Sequence, residues 1–529
     1  MAESNSKTLY QALWNCADIL RSKMDANEYK SYLLGLVFYK YLSDKLLLTF
    51  AELLDEPTED LIEAQRIFER EYTTNIDDEE FIKDVYENIS YIIKPELTFT
   101  YLVELMNTGE FHLEYLAQGL SDIQLSSPVF ANLFEDIDLF SKKLGNTPQK
   151  QNQTISGVMK ELANLDLAHS GDVLGDAYEY LIGQFASDSG KKAGEFYTPQ
   201  AVSTLMTRIV LNDREDMPGF SVYDPTMGSG SLLLNAKKYS NMPGMIQYFG
   251  QELNTSTYNL ARMNMILHGV PIENQHLHNA DTLDQDWPTE EPTNFDAVLM
   301  NPPYSAKWGA EKGFLDDPRF FTYGVLAPKS KADFAFLLHG YYHLKDTGVM
   351  AIVLPHGVLF RGNAEGKIRK VLLENGAIDT VIGLPANIFF NTSIPTTVII
   401  LKKNRTNRDV LFIDASNEFT KGKNQNLLEE GHIQKILDTY KNREDVDKYA
   451  HVASFEEIKE NDFNLNIPRY VDTFEEEEPI DIIELSKEII SINKEIEETE
   501  KEFLAMLDEL QVTDETRDII EATKAVFKR

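Results

Sequence analysis

Residues 295–304 read Phe-Asp-Ala-Val-Leu-Met-Asn-Pro-Pro-Tyr, an apolar run that ends in a polar and aromatic tetrapeptide. An apolar run followed by two prolines is typical of a buried strand that ends at a turn. The Asn301 side chain and the Pro302 carbonyl each offer an oxygen that accepts a hydrogen bond. Such a loop can hold a flat ring that carries an amino group, with the Tyr304 ring stacked on its face. The alternative is a proline-rich turn without a binding role.

A glycine-containing loop lies upstream, in the segment 222–231, which reads Val-Tyr-Asp-Pro-Thr-Met-Gly-Ser-Gly-Ser. It stands between a short apolar run and a helical pattern, and Gly228 and Gly230 allow the backbone to turn tightly and approach a ligand closely. Phosphate is not the expected ligand, because the pattern G-x-G-x-x-G and the phosphate-loop lysine are both absent. Asp224 at the start of the loop instead favours a cationic amino-acid group.

Two further acidic residues lie between the loop and the tetrapeptide. Glu252 ends the apolar stretch at 248–249, and Asp281 follows His278 after the next helical pattern, before the strand that ends in Asn301. Glu252 is suited to a ribose diol, and Asp281 is suited to an amino group such as that of adenine. Each acid taken alone is typical of a solvated loop. Because the carboxyl ends of parallel strands meet at one edge of a sheet, their order predicts a shared pocket instead.

The chain divides into regions of different periodicity. Residues from about 8 to 145 show helical spacing, and the polar stretch 145–154 is typical of a linker or exposed loop. From about 155 onward strand and helix signals alternate, which predicts a doubly wound α/β sheet. The predicted strands are Ser221–Tyr223, Gln247–Phe249, Ala297–Met300, Val349–Leu354, Thr380–Leu384 and Thr396–Leu401.

Composition bounds the class of protein. The 529 residues are 43% hydrophobic, which is enough for two or three domains. Cys16 is the one cysteine, so an intrachain disulfide is impossible and a reducing cytoplasm is expected. No signal-peptide pattern and no run of about 20 apolar residues is present, so no membrane association is predicted. The spacing of His268, His276 and His278 matches no common zinc pattern, so no metal site is predicted.

Five motifs occur in an order that resembles the DNA adenine-N6 methyltransferases: Gly-Glu-Phe-Tyr-Thr-Pro at 194–199, the loop at 224–231, Glu252, Asp281 and the tetrapeptide at 301–304. More narrowly, nearly the whole chain resembles the modification subunit of a type I restriction-modification system. The resemblance implies an α/β fold with a Rossmann-like doubly wound methyltransferase domain, an N-terminal helical domain and a C-terminal helical tail that binds a partner. The implied bounds are 155–472 for the methyltransferase domain, 8–145 for the N-terminal helical domain and 475–529 for the C-terminal tail.

The resemblance implies S-adenosylmethionine as the methyl donor. Glu252 would bind its ribose hydroxyls, Leu253 would pack on its adenine, and Asp281 would hold the adenine amino group. Its methionine part would be held by the residues before and within the glycine loop, namely Gly194, Glu195, Phe196, Tyr197, Thr198, Pro199, Asp224, Gly228, Ser229, Gly230 and Ser231. Without the family, Thr198 and Pro199 are typical of a helix N-cap and first helical residue.

The resemblance also implies which residues meet the target adenine, namely Asn301, Pro302, Pro303 and Tyr304. Phe389 and Phe390 resemble a late aromatic motif and would stack on the base beside Tyr304. The alternative for this pair is core packing before the strand at 396–401. No metal is needed for methylation, because the methyl sulfonium is already an activated electrophile. A base inside duplex DNA must be flipped out to reach such a pocket.

The net charge of −36 at pH 7 opposes binding to DNA phosphates. Together with the resemblance, it implies that a separate DNA-specificity subunit supplies the affinity for double-stranded DNA and the choice of site. Apolar residues at three-and-four spacing from Ile482 to Leu510 predict a helix that packs on that subunit, or alternatively on the chain's own body. The resemblance further implies two copies of this chain per specificity subunit and a restriction subunit that translocates and cleaves DNA.

Two other functions are compatible with parts of this pattern. A protein-glutamine methyltransferase uses the same Asn-Pro-Pro-Tyr grip on a side-chain amide, but the motif at 194–199 and the large helical regions favour DNA adenine. An acidic assembly scaffold with a decayed pocket would lack affinity for S-adenosylmethionine.

Overall fold

The structure of the chain is a computed structural model that describes residues 2–75, 79–168, 172–188, 198–389, 393–423, 425–473, 481–513 and 515–527. The chain forms two compact units, Met1–Asp472 and Thr473–Arg529. The first unit contains a helical region and an α/β region, and the second is helical. The predicted fold class is therefore confirmed.

The helical region packs around one long apolar helix. It comprises α1 (Ala2–Arg21), α2 (Ala26–Leu53), α3 (Leu61–Asn75), α4 (Glu79–Ile89), α5 (Phe99–Thr108), α6 (Leu113–Ser126), α7 (Pro148–Ala163) and α8 (Asp172–Asp188). Most of α2 is buried, and its Leu33 to Tyr39 run belongs to a core that also takes in residues of α8 and of a later helix. A helix that is apolar on all sides is stable only in such an interior.

The predicted linker at 145–154 is wrong, because α7 begins at Pro148. The Thr147 side chain caps this helix by accepting a hydrogen bond from the Lys150 N–H, and Pro148 takes the first helical position, which suits its fixed φ. The polar residues of the segment belong to an amphipathic helix, of which Ile155 and Val158 are buried. The boundary between the helical and α/β regions stays a prediction.

The α/β region alternates strands and helices. Its elements are α9 (Gln200–Leu211), β1 (Ser221–Asp224), α10 (Ser231–Tyr239), β2 (Gln247–Glu252), α11 (Thr255–Leu267), β3 (Gln275–Asn279), α12 (Thr282–Gln285), β4 (Phe295–Met300), α13 (Asp333–Tyr342), β5 (Leu344–Pro355), α14 (Asn363–Glu374), β6 (Ile378–Gly383), β7 (Thr396–Lys402), β8 (Val410–Asp414), β9 (Thr420–Lys421), β10 (Asn426–Leu427), α15 (Glu430–Asn442), β11 (Ala450–Ala453) and α16 (Phe455–Glu460).

One sheet of nine strands organises this region, in the order β11-β8-β6-β7-β5-β4-β1-β2-β3. Strands β1 to β5 pair in parallel, whereas β7 runs antiparallel to both β5 and β6. Side chains of β4 alternate between two apolar layers, with Ala297 and Leu299 in one and Val298 and Met300 in the other. The chain moves from β1 outward to β3 and then returns to β4, so a topological switch point lies between β1 and β4.

All six predicted strands are confirmed within a few residues at their ends. The sheet also contains strands that the sequence does not predict. β3 reads Gln-His-Leu-His-Asn and β11 is only four residues long, and both lie at edges of the sheet, where burial does not demand an apolar pattern. The five-residue β8 is apolar but short.

The second unit contains α17 (Ile482–Glu509) and α18 (Arg517–Phe527). Asp481 caps α17 by accepting hydrogen bonds from the first-turn N–H groups. The two helices contact each other through the Phe503 and Phe527 rings, whose centroids are 5.2 Å apart. Many apolar side chains of α17 remain exposed, including Ile482, Ile489, Ile490, Ile496 and Met506. Among the described residues, none of the helices is long and apolar enough to cross a membrane.

Candidate active site

A cavity of about 250 Å³ opens where β1, β2 and β4 end, beside the switch point of the sheet. Ligands of open α/β sheets bind at this place, because the carboxyl ends of the strands and the helix N-termini converge there. The cavity is lined by Thr198, Asp224, Pro225, Thr226, Met227, Gly228, Ser229, Ser231, Leu232, Glu252, Leu253, Asn254, Ala280, Asp281, Thr282, Asn301, Pro303 and Phe336.

The glycine loop forms one wall of the cavity. Gly228 and Gly230 have φ values of 56° and 79°, a conformation that side chains with a Cβ rarely adopt. Gly230 is the N-cap of α10, so the first N–H groups of that helix lie beside the loop. From behind the loop, the Asn264 amide of α11 donates a hydrogen bond to the Ser229 carbonyl at 3.0 Å. The loop is thus held in one shape, since the Met227 and Gly230 N–H groups also donate to the Gln251 and Met227 carbonyls.

Asp224 closes β1 as a buried acid that is only 1% exposed. One of its oxygens accepts hydrogen bonds from the Thr226 N–H at 2.9 Å and from the Thr226 hydroxyl at 3.2 Å. Burial nevertheless raises the pKa of the Asp224 carboxyl to about 8, with a smaller contribution from the nearby charge of Glu252. The carboxyl is therefore largely neutral at pH 7 and ionises readily when a cation enters the cavity.

Glu252 follows Asp224 on the neighbouring strand β2. Its two oxygens accept hydrogen bonds from the Gly228 N–H at 3.1 Å and the Asn254 N–H at 2.8 Å. Burial raises the pKa of this carboxyl, and the two N–H donors partly offset that effect. Glu252 thus ties the glycine loop to β2 while its carboxylate faces the cavity.

Asp281 is the N-cap of the short helix α12. Its Oδ1 accepts hydrogen bonds from the Leu283 N–H at 3.1 Å and the Asp284 N–H at 3.4 Å, which orient the carboxylate at the cavity wall. Leu253 also lines the cavity and is 67% exposed, which leaves its side chain free to pack on a ligand ring. Phe336 of α13 adds an aromatic ring to the cavity wall.

The tetrapeptide after β4 carries a chain of side-chain hydrogen bonds. The Tyr304 hydroxyl donates to the Asn301 Oδ1 at 3.0 Å, and the Asn301 Nδ2 donates to the Thr198 hydroxyl at 3.1 Å. Asn301 is only 6% exposed, so its amide is held in one orientation. The Tyr304 ring meets the Phe389 ring edge to face, with centroids 6.2 Å apart. The Tyr304 hydroxyl therefore occupies one of the two acceptor positions of the Asn301 Oδ1.

The cavity brings together predicted site residues from five separate stretches of the chain, namely Thr198, Asp224, Gly228, Ser229, Ser231, Glu252, Asp281, Asn301 and Pro303. Gly230, Pro302 and Tyr304 lie in the same two loops without appearing in its wall. Phe389 is 2% exposed and packs in the core, which agrees with the alternative stated for it, and its stacking role stays a prediction. Gly194, Glu195, Phe196, Tyr197 and Phe390 lie outside the described residues.

The start of α9 differs from expectation by one residue. Pro199 is the N-cap and the helix begins at Gln200, so Thr198 precedes the cap instead of forming it. The Thr198 hydroxyl is consequently available to Asn301. Phe336 was missed altogether, because nothing in a helical Asp-Phe-Ala-Phe stretch distinguishes a cavity-lining ring from a core ring.

Comparison with known proteins identifies the family. The N-6 DNA Methylase family matches residues 169–479, and the HsdM N-terminal domain family matches residues 9–162. The type I restriction enzyme MpnII methylase subunit of Mycoplasma pneumoniae is 35% identical over 91% of this chain and 92% of its own length. The type I restriction enzyme MjaVII methylase subunit of Methanocaldococcus jannaschii is 33% identical over 94% of this chain and 82% of its own length.

A solved structure agrees with the sequence comparisons. The crystal structure of the type I restriction-modification system methyltransferase subunit from Streptococcus thermophilus is 74% identical, covers 89% of this chain and 100% of its own, and superposes with a TM-score of 0.87. The motifs, the sheet and these relatives agree. The chain therefore belongs to the adenine-specific N-6 DNA methylases, as a methyltransferase subunit of the type I restriction-modification family.

Proposed function

We propose that this chain transfers a methyl group from S-adenosylmethionine to the N6 amino group of an adenine that has been flipped out of double-stranded DNA. One observation carries the proposal. The Asn301 amide lies in the same cavity as the three acids Asp224, Glu252 and Asp281, so a donor held by the acids reaches a base held by the amide. Juxtaposition of this kind supplies most of what a methyl transfer requires from a protein.

Different residues of the cavity wall suit the different parts of S-adenosylmethionine. The N–H groups of the glycine loop and of the first turn of α10 suit the methionine carboxylate. Asp224 suits the cationic amino group, because its ionisation is favoured by a nearby positive charge. Glu252 suits the ribose hydroxyls, Asp281 the adenine amino group, and Leu253 the face of the adenine ring. The methyl group of the bound donor is already activated as a sulfonium substituent.

The base side of the cavity positions the nucleophile. The Asn301 Oδ1 and the Pro302 carbonyl accept hydrogen bonds from the two N–H groups of N6, which withdraws the nitrogen lone pair from the ring and directs it to the methyl carbon. A bond forms between N6 and this carbon while the carbon–sulfur bond breaks, and N6 then loses one proton to solvent. Tyr304 stacks on the extruded base and, with Phe389 or Phe390, offsets part of an unstacking cost of about a few kcal/mol.

The chain works with partners. Its charge of −36 makes strong binding to DNA alone unfavourable, and the exposed apolar side of α17 is suited to a partner helix. A DNA-specificity subunit that binds α17 would supply the DNA affinity and the choice of site, with two copies of this chain per specificity subunit. A restriction subunit would join the same assembly for translocation and cleavage. A DNA substrate also places the enzyme in the cytoplasm.

The test is a methylation assay on the chain co-purified with its specificity subunit. Methyl-labelled S-adenosylmethionine and duplex DNA are supplied, the DNA is digested to nucleosides, and N6-methyladenine is measured by mass spectrometry. Label in DNA adenine supports the proposal. Label instead in a glutamine of an added translation factor would indicate the protein methyltransferase, and failure to bind S-adenosylmethionine in calorimetry would indicate a scaffold.

A further inference from the structure

A buried arginine lies behind the cavity wall without lining it. Arg319 belongs to the segment between the catalytic tetrapeptide and α13 and is only 3% exposed. Its guanidinium donates hydrogen bonds to the Thr282 carbonyl at 2.8 Å and to the Leu283 carbonyl at 3.0 Å. The Asp317 carboxylate pairs with the other side of the guanidinium at 2.7 Å. A buried charge with this many partners is held in one place.

The surroundings of Arg319 resemble a metal site but are already filled by a cation. Asp286, His339 and His343 offer ligand atoms that lie within 4.8 Å of one another. The Arg319 Nη1 lies 3.1 Å from the His339 Nδ1 and 3.6 Å from the Asp286 Oδ1. Both nitrogens of His343 face oxygen acceptors, the Thr293 carbonyl at 2.6 Å and Asp286 at 2.8 Å. The guanidinium therefore supplies the positive charge that a metal ion would otherwise bring.

We infer that Arg319 is a positioning residue that sets the adenine end of the methyl-donor site by holding the turn that carries Asp281. Leu283 shows how this works, because its N–H donates to the Asp281 carboxylate while its carbonyl accepts from Arg319. Thr282 is held from the other side, since its hydroxyl donates to the Pro225 carbonyl of the glycine loop at 2.5 Å. The Asp281 carboxylate is thus oriented by peptide groups that Arg319 fixes.

The same contacts join the donor site to the base side of the cavity. The segment that carries Arg319 begins at Ser305, directly after the tetrapeptide, where the Ser305 N–H donates to the buried Asp333 carboxylate at 2.7 Å. Its two ends are held together where the Ala332 N–H donates to the Ala306 carbonyl at 2.9 Å. A shift of the Asp281 turn would therefore be transmitted through Arg319 to the segment that follows Tyr304.

The inference rests on the proposed function and is tested in the complex with the specificity subunit. Arg319→Lys keeps a positive charge but replaces the planar fork, whose separate nitrogens reach two carbonyls and a carboxylate, by a single ammonium group. Arg369→Lys is the matched control, since Arg369 is also buried and bonds the Val358, Arg361 and Phe463 carbonyls, none of which lines the cavity. We expect the Kd for S-adenosylhomocysteine to rise about ten-fold or more in Arg319→Lys and less than two-fold in the control.

A second ligand separates positioning from general loss of structure. An analogue of S-adenosylhomocysteine without the adenine 6-amino group cannot use Asp281. We expect the wild type to prefer the amino-bearing ligand about ten-fold, and Arg319→Lys to lose most of this preference whereas Arg369→Lys retains it. Asp317→Asn leaves Arg319 in place but weakens the ion pair that holds its guanidinium, so it should lower the preference by a smaller factor. This variant provides the test if Arg319→Lys does not fold.

The outcomes distinguish the two proposals. An unchanged preference in both Arg319→Lys and Asp317→Asn would overturn the positioning role while leaving the proposed function intact. Equal losses of affinity in the Arg319 and Arg369 variants would also overturn it, because they would show a general effect of a disrupted interior. A wild-type complex that binds neither ligand would instead reject the proposed function itself.

Discussion

The two halves of the cavity differ in how ready they are for a ligand. On the donor side, Asp224, Glu252 and Asp281 are already oriented by backbone and side-chain donors and face open space. On the base side, one acceptor position of the Asn301 oxygen is already occupied by the Tyr304 hydroxyl. The donor half is preorganised, whereas the base half already uses part of its acceptor capacity within the protein.

This difference has an energetic consequence. Binding to a preorganised site costs little rearrangement, so the donor can bind before DNA arrives. Under the proposed function, the N6 amino group would donate to the second lone pair of the Asn301 oxygen, and a ligand without an amino group would lack this hydrogen bond. The difference also separates the two functions, because substitutions in one half should leave the other largely unaffected.

The largest expected effect comes from removing the amide that holds the base. Asn301→Ala should lower the rate constant for methylation by about a thousand-fold or more, because N6 loses the acceptor that directs its lone pair. The Kd for S-adenosylhomocysteine, measured by calorimetry, should change less than about three-fold. Normal turnover would reject the role of Asn301, and a loss of donor binding as large as the loss of rate would show that the two halves are not separate.

The second largest effect concerns the specificity subunit, which the proposed function requires for binding to DNA. Ile489→Glu places a charge in the exposed apolar side of α17 and should weaken association with the specificity subunit by about a hundred-fold, since burial of that charge is costly. Donor binding by the chain alone should not change. Ser491→Glu adds the same charge elsewhere on α17, two residues away, and is the control. Equal association of the two variants in analytical ultracentrifugation would remove α17 from the interface.

The comparison also shows which features were readable from the sequence. Asp224, Glu252 and Asn301 were predicted because each follows an apolar stretch, and strand ends in a parallel sheet converge by topology alone. Asp281 was predicted from its place in the order of motifs, because the strand before it is polar. The strands with apolar patterns were predicted for the same reason. The polar edge strand β3 and the helix hidden in 145–154 were not, because sheet edges and polar helix faces lack a strong periodic signal.

The side-chain networks could not be predicted from the sequence, for a different reason. Phe336 lines the cavity, and Arg319 supports its wall, through tertiary contacts. Phe336 lies on α13, and Arg319 lies in a segment without regular spacing. The Tyr304 ring was predicted to stack on the base, whereas the bond from its hydroxyl to Asn301 depends on a rotamer that only the folded loop defines. Residue types predicted the chemistry, and three-dimensional contacts determine how it is held in place.

A smaller effect tests the preorganised half through pH. With a pKa of about 8, the Asp224 carboxyl is mostly protonated below that pH, and a bound cationic amino group requires the ionised form. Donor binding should therefore release a proton, and affinity should rise about ten-fold or more as the pH increases from 6 towards 8. Calorimetry in buffers of different ionisation enthalpy measures the proton release. Asp224→Asn should bind more weakly and lose most of the pH dependence, so retention of that dependence would assign it to another group.

The smallest effect isolates the hydrogen bond that covers Asn301. Tyr304→Phe keeps the ring for stacking and removes the hydroxyl that occupies one acceptor position of the Asn301 Oδ1. The lost hydroxyl frees Oδ1 in advance, so the KM for DNA should fall or stay constant and kcat should change less than about three-fold. Tyr304→Ala is the matched comparison, because it removes the ring as well and should cost about ten-fold or more in kcat/KM. If the two variants lost activity equally, the base would need the hydroxyl and not the ring. Tyr304 would then act as a hydrogen-bond donor to the adenine.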